Sequence, residues 1–111
     1  MITVEQVRPI ALALPRTYET LVRDRITFRV GRLVFLKFSR DETIMGVGFW
    51  KEERAAMVAA EPDKFLLPRA SDMRYNWIHV RLAAIDLPEA RELVIEGWKM
   101  CVPKSIAATV N

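Results

Sequence analysis

Asn76-Trp77-Ile78-His79-Val80-Arg81, running on into Leu82, is the stretch that decides the fold. Strict alternation sends Asn76, Ile78, Val80 and Leu82 to one side of a strand and Trp77, His79 and Arg81 to the other. The first set, apart from Asn76, requires a core. The second puts an indole, the one histidine of the chain and a guanidinium on a common face, which suits stacking or hydrogen bonding to something outside the sheet.

Outward from this strand the chain is punctuated clearly. Downstream, Asp86 and Glu89 have capping-box spacing and open a helix whose buried stripe is Leu87, Ala90, Leu93, Val94, Gly97, Met100 and Cys101, ended by Pro103. Upstream, Phe65-Leu66-Leu67 fits a short edge strand and Pro68-Arg69-Ala70-Ser71-Asp72 a loop. Residues 51–60 form a helix with Glu52 and Glu53 in its first turn, stopped by Pro62. Thr43 to Trp50 is a strand that carries Gly46 and Gly48 on one face and Met45, Val47 and Phe49 on the other. A bulge or close backbone packing explains the bare face better than a ligand approaching the backbone. Ile26, Phe28 and Val30 alternate with Thr27 and Arg29, and Leu33 to Phe38 is nearly all apolar, so a hairpin turns at Gly31-Arg32. At the beginning, Thr3 and Gln6 form a capping box for a helix over 4–13, carried by Val4, Val7, Ile10, Ala11 and Leu14 and ended by Pro15.

The resulting order is one helix, three or four strands, a helix, one or two strands, and a helix. This predicts an α+β fold: a two-layer sandwich with an antiparallel sheet, helices over one face and the other face free. Its 111 residues correspond to one domain, burying roughly two-thirds of the unfolded surface. One cysteine, Cys101, forms no internal disulfide, and no apolar run reaches the length of a membrane span. A cytoplasmic, non-membrane protein is expected. Seventeen basic against fourteen acidic residues give a net charge of +3, which alone predicts no partner. The distribution says more: Arg23, Arg25, Arg29, Arg32, Lys37 and Arg40 fall in one segment with only Asp24 among them. Twelve of the seventeen cations are arginines, suited to bidentate contacts with phosphate or carboxylate. Arginines that merely solvate the outer face of a sheet are the alternative.

Val30-Gly31-Arg32-Leu33-Val34-Phe35, Asn76-Trp77-Ile78-His79-Val80, and Glu96-Gly97-Trp98-Lys99-Met100 with Pro103-Lys104, in this order and spacing, make the chain resemble the MmcQ/YjbR family. These are small bacterial proteins usually labelled DNA-binding. The resemblance covers nearly the whole chain and implies a YjbR-like domain over 1–111, similar to secretion-chaperone-like domains. It departs at Gly97-Trp98, where the family commonly has Ser-Tyr, and just before Trp77, where a basic segment is reduced to Arg74.

No catalytic constellation stands out, and the expectation is a non-enzyme with no metal and no cofactor. His79 is the only imidazole, which excludes a metal site built on two histidines, and one isolated histidine on a strand suits a surface or hydrogen-bonded residue better than a general base. Cys101 falls on an apolar helix stripe, the place of an inert thiol. The four glycines form no phosphate-binding loop.

The leading functional expectation is therefore a DNA-binding surface, weak and salt-sensitive, made of Arg25, Arg29, Arg32, Arg74, Trp77, His79 and Arg81. If the 26–30 and 77–81 strands share a free face, arginines contact phosphates while Trp77 stacks on a base, or the hairpin tips Gly31-Arg32 and Arg40-Asp41 act as wings. The alternative is a protein-interaction or homodimerising module, in which Leu33, Phe35, Ile44 and Trp50 form an apolar patch on the same free face. In a third reading Trp77 and Leu33 simply pack beneath the 65–75 segment.

Overall fold

The computed structural model describes residues 1–110. Helix α1 (Val4–Leu12) is followed by four strands, β1 (Thr17–Val22), β2 (Arg25–Val30), β3 (Leu33–Phe38) and β4 (Ile44–Gly48). Then come α2 (Lys51–Ala60), the short β5 (Phe65–Leu66), β6 (Trp77–Arg81), α3 (Leu87–Lys99) and α4 (Lys104–Ala107). The six strands form one antiparallel sheet in the order β1-β2-β3-β4-β6-β5. The fold is α+β, as the alternation in the 76–82 stretch requires. Among the described residues no helix is long and apolar enough to cross a membrane.

The helix starts follow from their caps. At α1 the Thr3 hydroxyl accepts from the Gln6 N–H (3.3 Å) while the Gln6 amide oxygen accepts from the Thr3 N–H (2.9 Å), satisfying two N-terminal donors reciprocally. At α3 the box is only half made. Asp86 accepts from the Glu89 N–H (2.9 Å), but the Glu89 carboxylate turns away to Lys64 Nζ at 2.7 Å, pairing with a full positive charge in place of a backbone N–H.

β6 behaves as its alternation demands: Ile78, Val80 and Leu82 are fully buried beneath the helices, while Trp77 and His79 are half-buried and Arg81 is exposed on the other side. Asn76 accepts a hydrogen bond from the Lys51 N–H (3.0 Å) and so joins the start of α2 to the start of β6. The stripe of α3 is wider than its spacing suggests. Ile95 and Trp98 are buried and Leu87 is exposed, because α3 packs against both α1 and the sheet. Trp98 has no exposed surface, and its indole N–H donates to the Pro15 carbonyl at 2.9 Å, tying α3 to the turn between α1 and β1.

Three local features differ from the periodicity. β1 is a whole strand that the spacing did not reveal. Phe35 is core, not open face, because the register slips between Phe28 and Arg29: Phe28 opposes Leu36 and Arg29 opposes Val34, leaving Phe35 as an extra residue. At such a bulge two successive side chains lie on one side, so Phe35 and Leu36 are both fully buried. The two glycines of β4 also part company. A Cβ at Gly46 would meet the Lys37 stem at 3.0 Å on the open face, whereas one at Gly48 would meet the Gly97 backbone of α3 at 3.3 Å. Close packing is the reason for both, and α3 approaches β4 this closely only because Gly97 is bare as well.

Candidate functional site

The free face of the sheet presents a groove of about 420 Å³ running from the β1–β2 turn to Trp77. Six cations line it, Arg23, Arg25, Arg29, Lys37, Arg40 and Arg69, and no carboxylate does. Val22, Thr27, Val34 and Trp77 complete the walls. Among the described residues none of Arg23, Arg25, Arg29 and Arg40 forms an ion pair, and the Arg29 Nε is buried without a hydrogen-bond partner. Uncompensated cations in a concave wall focus positive potential outward.

Each cation is delivered by a specific piece of local structure. Arg25 and Arg29 flank Thr27 on the free face of β2, and the Thr27 hydroxyl is within 3.2 Å of the carbonyls of Thr20 and Arg25. Arg23 belongs to a two-residue turn. Arg40 leaves the β3–β4 turn, which is fixed by Asp41 Oδ1 accepting from the Ser39 hydroxyl (2.7 Å), the Thr43 hydroxyl (2.7 Å) and the Thr43 N–H (3.1 Å). Those three bonds hold the Asp41 carboxyl below the usual carboxylate range.

Lys37 bridges the strands that periodicity left apart. Its stem crosses bare Gly46 and its ammonium sits over the Trp77 ring at 4.4 Å. Lys37 therefore covers one face of the Trp77 ring, which is the floor on which it rests. Beside it a smaller hollow of about 210 Å³ holds His79, Arg25, Lys37, Ser39, Arg69 and Asp72. Asp72 is the one carboxylate in either cavity. It accepts from Arg69 Nε at 3.3 Å and lies 4.0 Å from Lys37 Nζ. Burial pushes the Lys37 ammonium below its ordinary value, with Arg69 and Arg25 adding to the effect and Asp72 opposing it. Burial likewise lowers His79, helped by Lys37 and Arg69 against Asp72, which favours the neutral imidazole.

Arg54 of α2 organises the segment that covers the end of this face. It is 4 % exposed, and its guanidinium donates to the carbonyls of Met73 (2.7 Å), Tyr75 (2.9 Å) and Trp77 (2.9 Å). One forked cation thus fixes the chain entering β6 and the placement of Trp77.

Of the residues expected at the site, the structure brings Arg25, Arg29 and Trp77 into the groove and His79 into the adjoining hollow. Arg32 stands at the far hairpin tip, Arg81 is exposed at the other end of β6, and Arg74 stacks on Tyr75 at 4.8 Å; none of the three lines either cavity. Arg23, Lys37 and Arg40 belonged to the cation-rich segment and join the groove. Arg69, Asp72 and Arg54 carried no signal, being placed by tertiary contacts of an irregular loop and a helix. The expected apolar patch does not exist as a unit: Phe35 is core, while Leu33 and Trp50 are exposed separately. The 65–75 segment reaches the sheet at Asp72 and Arg69, not over Leu33. Among the described residues no group of three or more His, Cys, Asp or Glu is placed to hold a metal ion. Cys101 is half-buried, and burial raises its thiol above the ordinary value, away from reactivity.

No curated protein sequence matches the chain. Among solved structures, the crystal structure of the Deinococcus radiodurans protein DR2400, described as a DUF419 domain, is similar in fold. Its TM-score is 0.78 at 20% identity, over 95% of this chain and 82% of that one. The YjbR family model matches residues 12–100, from the end of α1 to the end of α3, and the chain therefore belongs to the YjbR family.

Proposed function

We propose that this protein binds nucleic acid non-catalytically, through the backbone phosphates, in the cation-lined groove of its free sheet face. The observation that carries this reading is the lining itself, six cations with no carboxylate in one concavity on a chain of net charge only +3. Guanidinium groups without partners suit phosphate oxygens, and the unpaired Arg29 Nε is a donor already desolvated. Because six cations line the groove against one aromatic ring, of which Lys37 covers a face, phosphate contact outweighs base stacking, and affinity should depend little on base sequence. Engagement of about four phosphates predicts roughly a 10²-fold loss of affinity between about 50 and 200 mM salt.

Fluorescence anisotropy of labelled DNA tests the reading. Arg25→Glu with Arg40→Glu, both exposed and outside every ion pair among the described residues, should weaken binding at least about tenfold at about 50 mM salt. Arg32→Glu with Arg81→Glu, cations outside the groove, should change it several-fold less. Asp72→Asn, which removes the one competing carboxylate, should tighten it. Equal losses from the two double variants would move the site elsewhere, and absence of wild-type binding at low salt would end the nucleic-acid reading.

A further inference from the structure

β1 is the outermost strand on one side of the sheet, and it lacks the devices that keep an edge from pairing. The opposite edge, β5, is two residues long and followed by Pro68. β1 has six residues, Thr-Tyr-Glu-Thr-Leu-Val, all in regular register with β2, with no bulge, proline or lysine. Its one charge, Glu19, is already held by Arg8 of α1 at 3.0 Å. The apolar side chains at this edge face water: Leu21 is 69% exposed, Tyr18 44% and Val22 39%.

We propose that β1 is a homodimer interface, in which two copies pair their β1 edges antiparallel about a two-fold axis at Thr20. The partner and the register both follow from the strand's own side chains. Tyr18, Thr20 and Val22 share the free face with Arg29, Thr27 and Arg25, whereas Thr17, Glu19 and Leu21 share the helical side with Val30, Phe28 and Ile26. Opposed residues in an antiparallel pair must lie on one face, so a two-fold axis has to place some residue opposite itself. An axis at Glu19 would set two carboxylates face to face, and an axis at Leu21 would leave Tyr18 without a partner. With the axis at Thr20, Tyr18 meets the partner's Val22, Thr20 meets the partner's Thr20, and Leu21 covers the stem of the partner's Glu19. Aromatic with β-branched and threonine with threonine are favourable cross-strand pairs.

The axis stands perpendicular to the sheet, so both free faces stay on the same side. The two cation-lined grooves, each of which begins at Val22 and Arg23, then flank the seam of one continuous sheet. A single strand pair buries less than about 1,200 Å², the class of weak interfaces, and the dimer should form in the micromolar range.

Sedimentation velocity without nucleic acid, over about 1 to 500 μM protein, reads the assembly directly. Wild type should pass from monomer to dimer, and Leu21→Lys should remain monomeric. Register is read by Thr20→Cys under diamide, which should give a covalent dimer because opposed residues lie within disulfide reach. Leu33→Cys, exposed on another hairpin, should cross-link no more than wild type, whose Cys101 is the built-in control. A monomer at the highest concentration, or cross-linking of the Leu33→Cys variant equal to that of Thr20→Cys, would overturn the proposal.

Discussion

Arg54 is costly to bury and is retained because three carbonyls surround it. A charged donor bonded to the Met73, Tyr75 and Trp77 carbonyls offsets its own desolvation and satisfies backbone acceptors that have no strand to pair with. Arg54→Met keeps the apolar stem but leaves the Met73 and Trp77 carbonyls without that donor, while the Tyr75 carbonyl keeps only the Trp77 N–H, so unfolding in urea should show a loss of roughly 2–4 kcal/mol. Arg54→Lys should recover little of it, since an ammonium cannot reproduce the fork. A loss under about 1 kcal/mol would mean that water replaces the clamp. Nothing in the 51–60 helical pattern separated Arg54 from its solvated neighbours. Trp98 is a similar case. Its burial depends on α1 closing over α3, a contact that helical spacing alone does not contain.

Turns decide which elements exist. Arg23 and Asp24 both have positive φ, 51° and 67°, the type I′ arrangement that joins twisted strands through two residues. Asn-Gly is the usual signal for it, and an Arg-Asp pair gives none, which is why β1 escaped notice while the Gly31-Arg32 hairpin, with Gly31 at φ 59°, was legible. Left-handed conformation costs an L-residue about 1–2 kcal/mol, whereas glycine's extra unfolded-state freedom costs about 0.5–1. Asp24→Gly should therefore stabilise the monomer by about 0.5–1 kcal/mol, measured by thermal unfolding at low micromolar protein. No gain would show that the Asp24 side chain already compensates for its backbone. The same strain keeps Arg23 at the mouth of the groove, where a glycine would supply no charge. The bulge at Phe35 is the other element-scale event hidden from periodicity, because alternation counts residues and cannot show an unpaired one.

At the scale of the whole molecule the free face carries an excess of cations that the fold itself must tolerate. His79 is depressed by burial and by Lys37, so the unfolded chain binds its proton more readily than the folded one. The cost is absent well above pH 6.5 and grows as pH falls through that value toward the lower folded pKa. Thermal stability without ligand should thus fall between about pH 7.5 and 5.5, and fall less in His79→Gln. Phosphate on this face has the opposite sign of effect. It raises the proton affinity of His79, so nucleic-acid binding should take up protons and tighten as pH falls over the same interval. A pH-independent affinity would place the phosphates away from the hollow. The alternation in 76–82, the apolar runs and the two cap sequences determined an α+β chain with one buried sheet face and named Arg25, Arg29, Trp77 and His79 as residues of the other, because period and capping are local properties. Only tertiary structure decided that Lys37 lies on Trp77, that Asp72 enters from a loop, that Phe35 turns inward and that β1 forms an open edge. Those outcomes depend on strand order, register and backbone sign, which are set by contacts between residues far apart in the chain.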